Sequence, residues 1–289
     1  MELVKITDKT YYIKNAANIG VYLADGNGAY LIDTGNDKDA GKKILKILSE
    51  QGWEVKGVIN THSHADHIGG NSVLQERTGC RIYAHGIERC FTEFPVLEPS
   101  FLYGGYPHSA LKNKFLCAKE SEVLEIEGNT PDGLEYFDLK GHSFDMIGIR
   151  TDDDIYFIAD SVFSEETISK YHLFFLCDVK ECLATLDYLD TLSAKLFVPS
   201  HGEPTDNITH LTRLNRDKIA EITGVILDYC ASPHTFEDIL AHVFDHYSLT
   251  MNTNQNVLIG CTVRSYISYL CDEGKIAVEL AGNRAYYNA

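Results

Sequence analysis

The chain has 289 residues, enough to bury a large hydrophobic core, and its 42 acidic and 25 basic side chains give a formal net charge of -17 at pH 7. This charge disfavours a nucleic-acid partner, because the lysines and arginines are scattered and form no basic stripe. We expect no signal peptide and no membrane span, because no apolar run is long enough. Eight cysteines without a CxxC pair indicate reduced thiols in a cytoplasmic protein.

The first part of the chain is predicted to alternate strands and helices. Residues 17–35 form two β-rich runs around the turn sequence Asp-Gly-Asn-Gly, which is typical of a hairpin. Residues 37–52 are predicted to form a helix, because their apolar residues share one face and a glycine ends the pattern. A short buried strand (VKGVIN) follows. After it come a histidine-rich stretch, a helix that starts near Asn71 and a further strand.

Residues 94–118 contain three prolines and a Gly-Gly pair, and they are predicted to form an irregular lid or pocket wall. After this segment, three apolar strands end in or run into a histidine or an aspartate. The helical sequence VKECLATLDYLDTL lies between the last two of these strands. Strands separated by helices in two similar halves predict an α/β (α+β) fold in which helices cover the sheets.

A second unit is predicted from residue 208 onward, so that the chain divides into domains 1–207 and 208–289. The second unit contains three stretches with helical periodicity, and the middle one begins with a capping box from Thr235 to Asp238. The last residues are predicted to form a hairpin around Gly-Asn. Three helices and a hairpin predict a small winged-helix-like domain that packs on the first domain or forms a contact in a homodimer.

The sequence THSHADHIGG, directly after the buried strand, contains four metal-ligand side chains: His62, His64, Asp66 and His67. These cannot all face one way on a regular helix or strand, but on a loop leaving a strand end they can converge around metal. The spacing lets His62 and His64 point in one direction and turns Asp66 and His67 toward a second position. The Gly-Gly pair lets the backbone pass close to a neighbouring segment.

Three further ligand-type residues stand at the ends of later strands, each flanked by small residues: His142, Asp160 and His201. Together with the first cluster they predict a binuclear metal centre. Asp33, in an Asp-Thr-Gly turn, is predicted to orient a ligand or the cluster loop. Imidazole and carboxylate ligands without a thiolate favour zinc, with iron or manganese as alternatives.

These motifs resemble the metallo-β-lactamase fold superfamily, whose ligand series has the same residues in the same order, and the resemblance covers about residues 10–205. It implies an αββα sandwich with two divalent metal ions at the sheet edges. It also implies two ligand sets and a bridge, namely His62, His64 and His142 for the first metal, Asp66, His67 and His201 for the second, and Asp160 between them.

The predicted chemistry is hydrolysis, because two divalent metals about 4 Å apart lower the pKa of a shared water toward about 7, and the bridging hydroxide attacks an electrophilic carbonyl or phosphorus. Asp66 is the predicted catalytic residue, since it can also steer a proton. The stretch THSHADHIGG is similar to that of glyoxalase II-type thioesterases, which favours a small ester, thioester or lactone as substrate. A glutathione thioester is disfavoured, because the C-terminal unit stands where those enzymes carry a basic glutathione-binding arm.

Two alternatives of the same fold stay open. A phosphodiesterase or endoribonuclease related to β-lactamase-like protein 2 has a similar domain order, but residues 208–289 hold six Lys/Arg against nine Asp/Glu. A groove-reading helix needs more cations than that. A mono-iron persulfide dioxygenase shares a near-identical histidine cluster. A non-enzymatic DNA-binding regulator is disfavoured by the complete ligand set and the acidic C-terminal unit.

Overall fold

Two β-sheets stack face to face, and helices cover the outer face of each sheet. The computed structural model describes residues 1–289. The first sheet contains seven strands in chain order, of which the first four pair antiparallel and the last four pair parallel. These strands are β1 (Glu2–Lys5), β2 (Thr10–Lys14), β3 (Ile19–Leu23), β4 (Gly28–Ile32), β5 (Glu54–Ile59), β6 (Arg81–Ala84) and β7 (Leu124–Glu125).

The second sheet is built from the second half of the chain. Its strands are β8 (Leu134–Asp138), β9 (Ile147–Thr151), β10 (Ile155–Phe157) and β11 (Leu196–Val198). They lie in the order β11-β10-β9-β8, with β10 and β11 parallel and the other pairs antiparallel. The helices are α1 (Lys38–Glu50), α2 (Ala65–Ile68), α3 (Asn71–Thr78), α4 (Glu88–Glu93), α5 (Leu97–Tyr103), α6 (Glu165–Tyr171), α7 (Val179–Leu189), α8 (Thr209–Tyr229), α9 (Phe236–His246) and α10 (Thr253–Asp272).

Strand alternation builds the two inner layers of the molecule. Val58 and Ile59 are neighbours on β5, and both are fully buried. Their side chains point to opposite faces of the sheet. Val58 packs with Ile44 of α1 in the core under the helices, whereas Ile59 packs with Phe157 of β10 in the core between the sheets. The predicted αββα sandwich is therefore confirmed.

Residues 94–118 are more regular than their prolines indicated. They contain α5 and a short 3-10 helix (Ser109–Leu111). The prediction of an irregular segment was wrong at α5, because Pro99 occupies the first turn of that helix. The backbone N–H groups of a first turn have no intrahelical partner, so proline costs little there.

The C-terminal residues form three helices and a hairpin, β12 (Ala277–Ala281) paired with β13 (Arg284–Asn288). The predicted capping box is present at Thr235 and Asp238. One cluster of 32 buried residues runs from Leu186 of α7 through the helices of this region to Tyr266 of α10. The C-terminal helices therefore share a core with the outer face of the second sheet. The domain boundary at residue 207 and the winged-helix assignment stay predictions. No helix combines the length and the apolar character that crossing a membrane requires.

Candidate metal centre

The predicted ligands converge at one edge of the sandwich, where strands of both sheets end. In the first sheet, β4 leads into Asp33 and β5 leads into the histidine cluster. Because β4 and β5 are parallel neighbours, their carboxyl ends lie side by side. In the second sheet, β10 and β11 are also parallel, and the residues that follow them, Asp160 and His201, meet at the same edge.

His62, His64 and His142 form the first group of potential ligands. The Nε2 atom of His62 lies 3.1 Å from Nδ1 of His64, and Nε2 of His142 lies 2.9 Å from the same atom. His62 is fully buried and His142 is 4% exposed. Three imidazole nitrogens therefore converge on one point, and none of them is assigned as a proton donor to the others. This arrangement is expected of a metal site.

Asp66, His67 and His201 form the second group. Oδ2 of Asp66 lies 3.3 Å from Nε2 of His201 and 3.8 Å from Nε2 of His67. Asp66 and His67 lie on α2 rather than on an open loop, with His64 as the residue that caps this helix. Successive side chains on a helix are rotated by about 100°. The side chains of Asp66 and His67 therefore leave the backbone in directions different from that of His62, which precedes the helix.

Asp160 lies between the two groups. Its Oδ2 is 3.5 Å from Nε2 of His142 and 3.2 Å from Nε2 of His201, and its Oδ1 is 3.3 Å from Nε2 of His67. Both Nε2 of His67 and Oδ1 of Asp160 are buried and lack a hydrogen bond of good geometry. Buried polar atoms are normally hydrogen-bonded, whereas these two only face each other at 3.3 Å, and that arrangement fits a cation held between them.

The nitrogens that face away from the centre are fixed by outer contacts. Nδ1 of His142 donates to the carbonyl of Phe175, and Nδ1 of His201 donates to the carbonyl of Ala16, both at 2.9 Å. These contacts assign the proton to Nδ1 and leave Nε2 free to face the centre.

Asp33 fixes the remaining contacts of the first sheet, as the sequence predicted. It accepts from the Thr61 backbone N–H at 2.8 Å, from the Thr61 hydroxyl at 2.7 Å and from Nδ1 of His67 at 2.8 Å. The Thr61 oxygen in turn lies 3.1 Å from Nδ1 of His62. Asp33 has a φ of 65°, a conformation that aspartate tolerates better than most residues. One buried carboxylate thus orients two cluster histidines.

Burial keeps the first group neutral. Loss of hydration lowers the pKa of His62 well below its ordinary value, that of His142 to about 3 and that of His64 to about 4. A histidine must be unprotonated to bind metal, so these three are ready to do so at neutral pH.

The second group is charged in the absence of metal. Burial alone would lower the pKa of His67 and His201, but the carboxylates of Asp160 and Asp66 outweigh it. They raise the pKa of His67 well above its ordinary value and that of His201 to about 10. Burial would raise the pKa of both aspartates, yet the two histidines hold it well below the usual range. Both carboxylates are therefore ionised and able to bind a cation.

Glycines allow the close approaches that bring the segments together. A Cβ on Gly69 would lie 2.3 Å from the Asn36 backbone, and one on Gly70 would lie 2.5 Å from the Thr34 carbonyl oxygen. The predicted close passage of this pair is therefore confirmed, and the neighbouring segment is the Asp-Thr-Gly turn. Any side chain at these positions would push the histidine cluster away from Asp33.

Sequence reasoning missed two buried glutamates. Glu88 on α4 accepts from the backbone N–H of Ser63 at 2.9 Å and from its hydroxyl at 2.6 Å, and so fixes the residue between two cluster histidines. Glu98 on α5 lies 3.6 Å from Nε2 of His64. Burial, followed by the charge of Glu88, raises the pKa of Glu98 to about 8. Neither residue stands at a strand end or at a ligand spacing, so the pattern carried no signal for them.

Comparison with known proteins gives a consistent result. A family model described as the metallo-beta-lactamase superfamily matches residues 15–201. The chain is 30% identical over 164 residues to a hydroxyacylglutathione hydrolase of Rhodopseudomonas palustris (strain BisB18), a match that covers 52% of this chain and 53% of that enzyme. It is 27% identical over 184 residues to the probable metallo-hydrolase YybB of Bacillus subtilis (strain 168), covering 63% of this chain and 79% of that protein. The chain thus spans about half the length of the first relative.

Solved structures show the same fold at lower identity. A beta-lactamase domain protein from Burkholderia ambifaria has a TM-score of 0.76 at 15% identity, covering 100% of this chain and 94% of that one. A metallo-beta-lactamase family protein from Thermus thermophilus has a TM-score of 0.68 at 16% identity, covering 99% and 97%. The family model covers more than half of the sequence and includes every predicted ligand, so the chain belongs to the metallo-beta-lactamase superfamily.

Proposed function

We propose that the protein is a metal-dependent hydrolase of a small ester, thioester or lactone, with a centre for two divalent metal ions. The observation that carries this proposal is the position of Asp160. Its carboxylate reaches both ligand groups, and a buried oxygen of Asp160 faces a buried nitrogen of His67 without a hydrogen bond.

The donor set fits two metal ions. His62, His64 and His142 would hold one ion, Asp66, His67 and His201 would hold the other, and Asp160 would contact both. All donors are nitrogen or oxygen, which favours zinc, with iron or manganese as alternatives. When bound, two such ions would lower the pKa of a shared water toward about 7 and stabilise negative charge on a carbonyl oxygen.

The protein's own residues supply orientation and proton handling. Asp66 has the most exposed side chain of the ligand set, at 45%, and the His201 side chain is 23% exposed. A substrate therefore enters on the side of these two residues. The Asp66 carboxylate accepts a hydrogen bond from the attacking water and steers its proton toward the leaving alcohol or thiol. Asp33 holds the imidazole of His67 against rotation while this happens.

The relatives support hydrolysis and leave the substrate as a proposal. Hydroxyacylglutathione hydrolase is the name of the first relative, and a thioester therefore heads the substrates to be tested. A phosphodiesterase is less favoured, because the C-terminal region carries more acidic than basic residues. A mono-iron persulfide dioxygenase would leave part of the seven-residue set without metal. A homodimer stays a prediction.

A panel of substrates tests the proposal. Metal-loaded protein is assayed against thioesters, lactones, a phosphodiester and a persulfide, with Asp66→Asn as the active-site variant. Asp206→Asn is the matched control, since Asp206 is exposed on the loop before α8. The proposal expects turnover of a thioester, an ester or a lactone that falls in Asp66→Asn by at least about 100-fold and is unchanged in the control. Turnover of the phosphodiester or the persulfide alone would contradict it.

A further inference from the structure

His64 differs from the other cluster histidines in its outer contact. The outer nitrogens of the other four histidines lie 2.8–3.1 Å from an oxygen of the protein. His64 faces the cluster with Nδ1, so its Nε2 points outward, and no oxygen lies within hydrogen-bond distance of that atom. A histidine that binds metal almost always donates its second N–H to an oxygen. The contact of His64 is therefore the incomplete one.

Glu98 is the carboxylate that faces this nitrogen. Its Oε1 lies 3.6 Å from Nε2 of His64, and the residue is 8% exposed. Its side chain makes no hydrogen bond and contacts no lysine or arginine. Burying a carboxyl group without a partner costs stability, so its position calls for a role. A cavity of about 10 Å³ lies beside the two side chains. That is about the room that one water needs to bridge them.

Glu88, the other acid nearby, is not available to accept a hydrogen bond from His64. Glu88 already accepts two hydrogen bonds from Ser63 and one from the Asp145 backbone N–H at 3.1 Å. The rest of the cavity wall is largely aromatic, with Phe91, Phe101, Phe144 and Phe175. Of the two acids at this cavity, Glu98 is the one whose carboxyl group accepts no hydrogen bond; the Ser143 hydroxyl, which also lines the cavity, lacks a partner as well.

The fold holds Glu98 firmly in place. The helix that carries it, α5, packs against α10 of the C-terminal region, where Leu102 shares a buried cluster with Val257. Asn113 of the same segment donates to Asn254 at 3.0 Å. The C-terminal region therefore packs against α5 and supports Glu98 beside the metal centre.

We propose that Glu98 is a positioning residue for His64, accepting the Nε2–H hydrogen bond, directly or through one water, that keeps Nδ1 facing the first metal. This inference rests on the metal centre proposed above. It also gives the C-terminal region a role, since α10 supports the helix that supplies the acceptor. Truncating Glu98 leaves the imidazole of His64 free to rotate. The binding affinity of the first metal ion therefore falls more than that of the second.

The test measures binding of zinc alone to metal-free protein by competition with a chelating dye. Glu98→Ala is expected to lower the affinity for one of the two zinc ions by about 10–100-fold. Glu98→Gln restores most of the affinity, because the amide oxygen is still an acceptor. Glu93→Ala on α4 is the matched control, since Glu93 is half-buried and makes no ion pair, and it binds zinc like the wild type. The absorption bands of the cobalt-loaded protein change in Glu98→Ala and return toward the wild type in Glu98→Gln.

Stability separates a positioning role from a structural one. Metal-free Glu98→Ala and Glu98→Gln are expected to unfold near the wild-type temperature, because the loss or weakening of the contact with His64 is offset by no longer burying a carboxyl group. Unchanged zinc affinity in Glu98→Ala would overturn the inference. A raised KM with unchanged zinc affinity would also overturn it and assign Glu98 to the substrate. If the wild type itself binds no metal, the proposed function is wrong, and the inference about Glu98 is wrong as well because it depends on the metal centre.

Discussion

Asp33→Asn tests the account of how the centre is held together. Asparagine keeps the size of aspartate and tolerates the positive φ, so the backbone is not what changes. Its carbonyl oxygen can still accept from the Thr61 backbone N–H. Its amide group, however, faces two donors, the Thr61 hydroxyl and Nδ1 of His67, which both bonded to the carboxylate.

The expected loss follows from those two contacts. A hydrogen bond to a charged acceptor contributes about 1.5–3 kcal/mol, so losing two lowers the free energy of unfolding by about 3–6 kcal/mol. At about 2.1 cal/mol/K per residue, the unfolding entropy of 289 residues is about 0.6 kcal/mol/K. The expected decrease in Tm of the metal-free protein is therefore about 5–10 °C.

The assay is thermal unfolding in the presence of a chelator, followed by zinc titration. Asp37→Asn is the control in the same turn. Asp37 caps α1 by accepting from two backbone N–H groups, and asparagine caps a helix about as well. Zinc affinity is expected to fall by about 10–100-fold in Asp33→Asn and to stay near the wild-type value in the control. An unchanged Tm and an unchanged affinity in Asp33→Asn would refute this reasoning.

Three further predictions concern protons and support. Metal loading at pH 7.5 should release between about two and three protons per chain: one each from His67 and His201, because a ligand must be deprotonated, and most of one from the shared water with its pKa lowered toward about 7. Calorimetry in buffers of different ionisation enthalpy counts them, and a release of one proton or fewer would contradict the charged second group. The metal-free protein should be most stable near pH 6.5: the raised pKa of these two histidines contributes stability that is lost as the pH rises toward about 10, and the lowered pKa of the other three costs stability as the pH falls below about 6.5. A Tm that increases steadily from pH 6.5 to 9 would be inconsistent with it. Ser265→Ala removes the 2.8 Å hydrogen bond to the Cys177 carbonyl, close to the Phe175 carbonyl that holds His142, and should lower the free energy of unfolding in urea by about 1 kcal/mol. Ser232→Ala serves as an exposed control, and equal urea midpoints for the two variants would argue against a supporting role for Ser265.

The convergence of the proposed ligands could be predicted because each stands at a strand end in a local pattern. Parallel strands bring their carboxyl ends to one edge, so Asp160 and His201 could be placed beside the cluster from the sequence alone. The alternation of strands and helices predicted sheets covered by helices, and the resemblance to the metallo-β-lactamase superfamily implied the αββα arrangement of those layers. The role of Asp33 was also predicted, since a buried aspartate in a tight turn beside the cluster has few other uses.

The contacts behind the ligands could not be predicted. Glu88 and Glu98 reach the centre only because α4 and α5 pack beside it, and no sequence spacing encodes that packing. The helix α5 was missed because Pro99 was counted as a breaker, although a proline in a first turn is compatible with a helix. The continuous core from α7 to α10 is likewise a long-range contact, which periodicity within one segment does not reveal.

The metal content of the protein tests the central claim most directly. Protein expressed without added metal is measured by elemental analysis as the wild type, as His142→Ala and as His210→Ala, an exposed histidine of α8 that serves as the control. The account predicts about two zinc or manganese ions per chain in the wild type and the control, and about one in His142→Ala. About one iron per chain in the wild type, or two ions retained in His142→Ala, would contradict a centre built from two ligand groups.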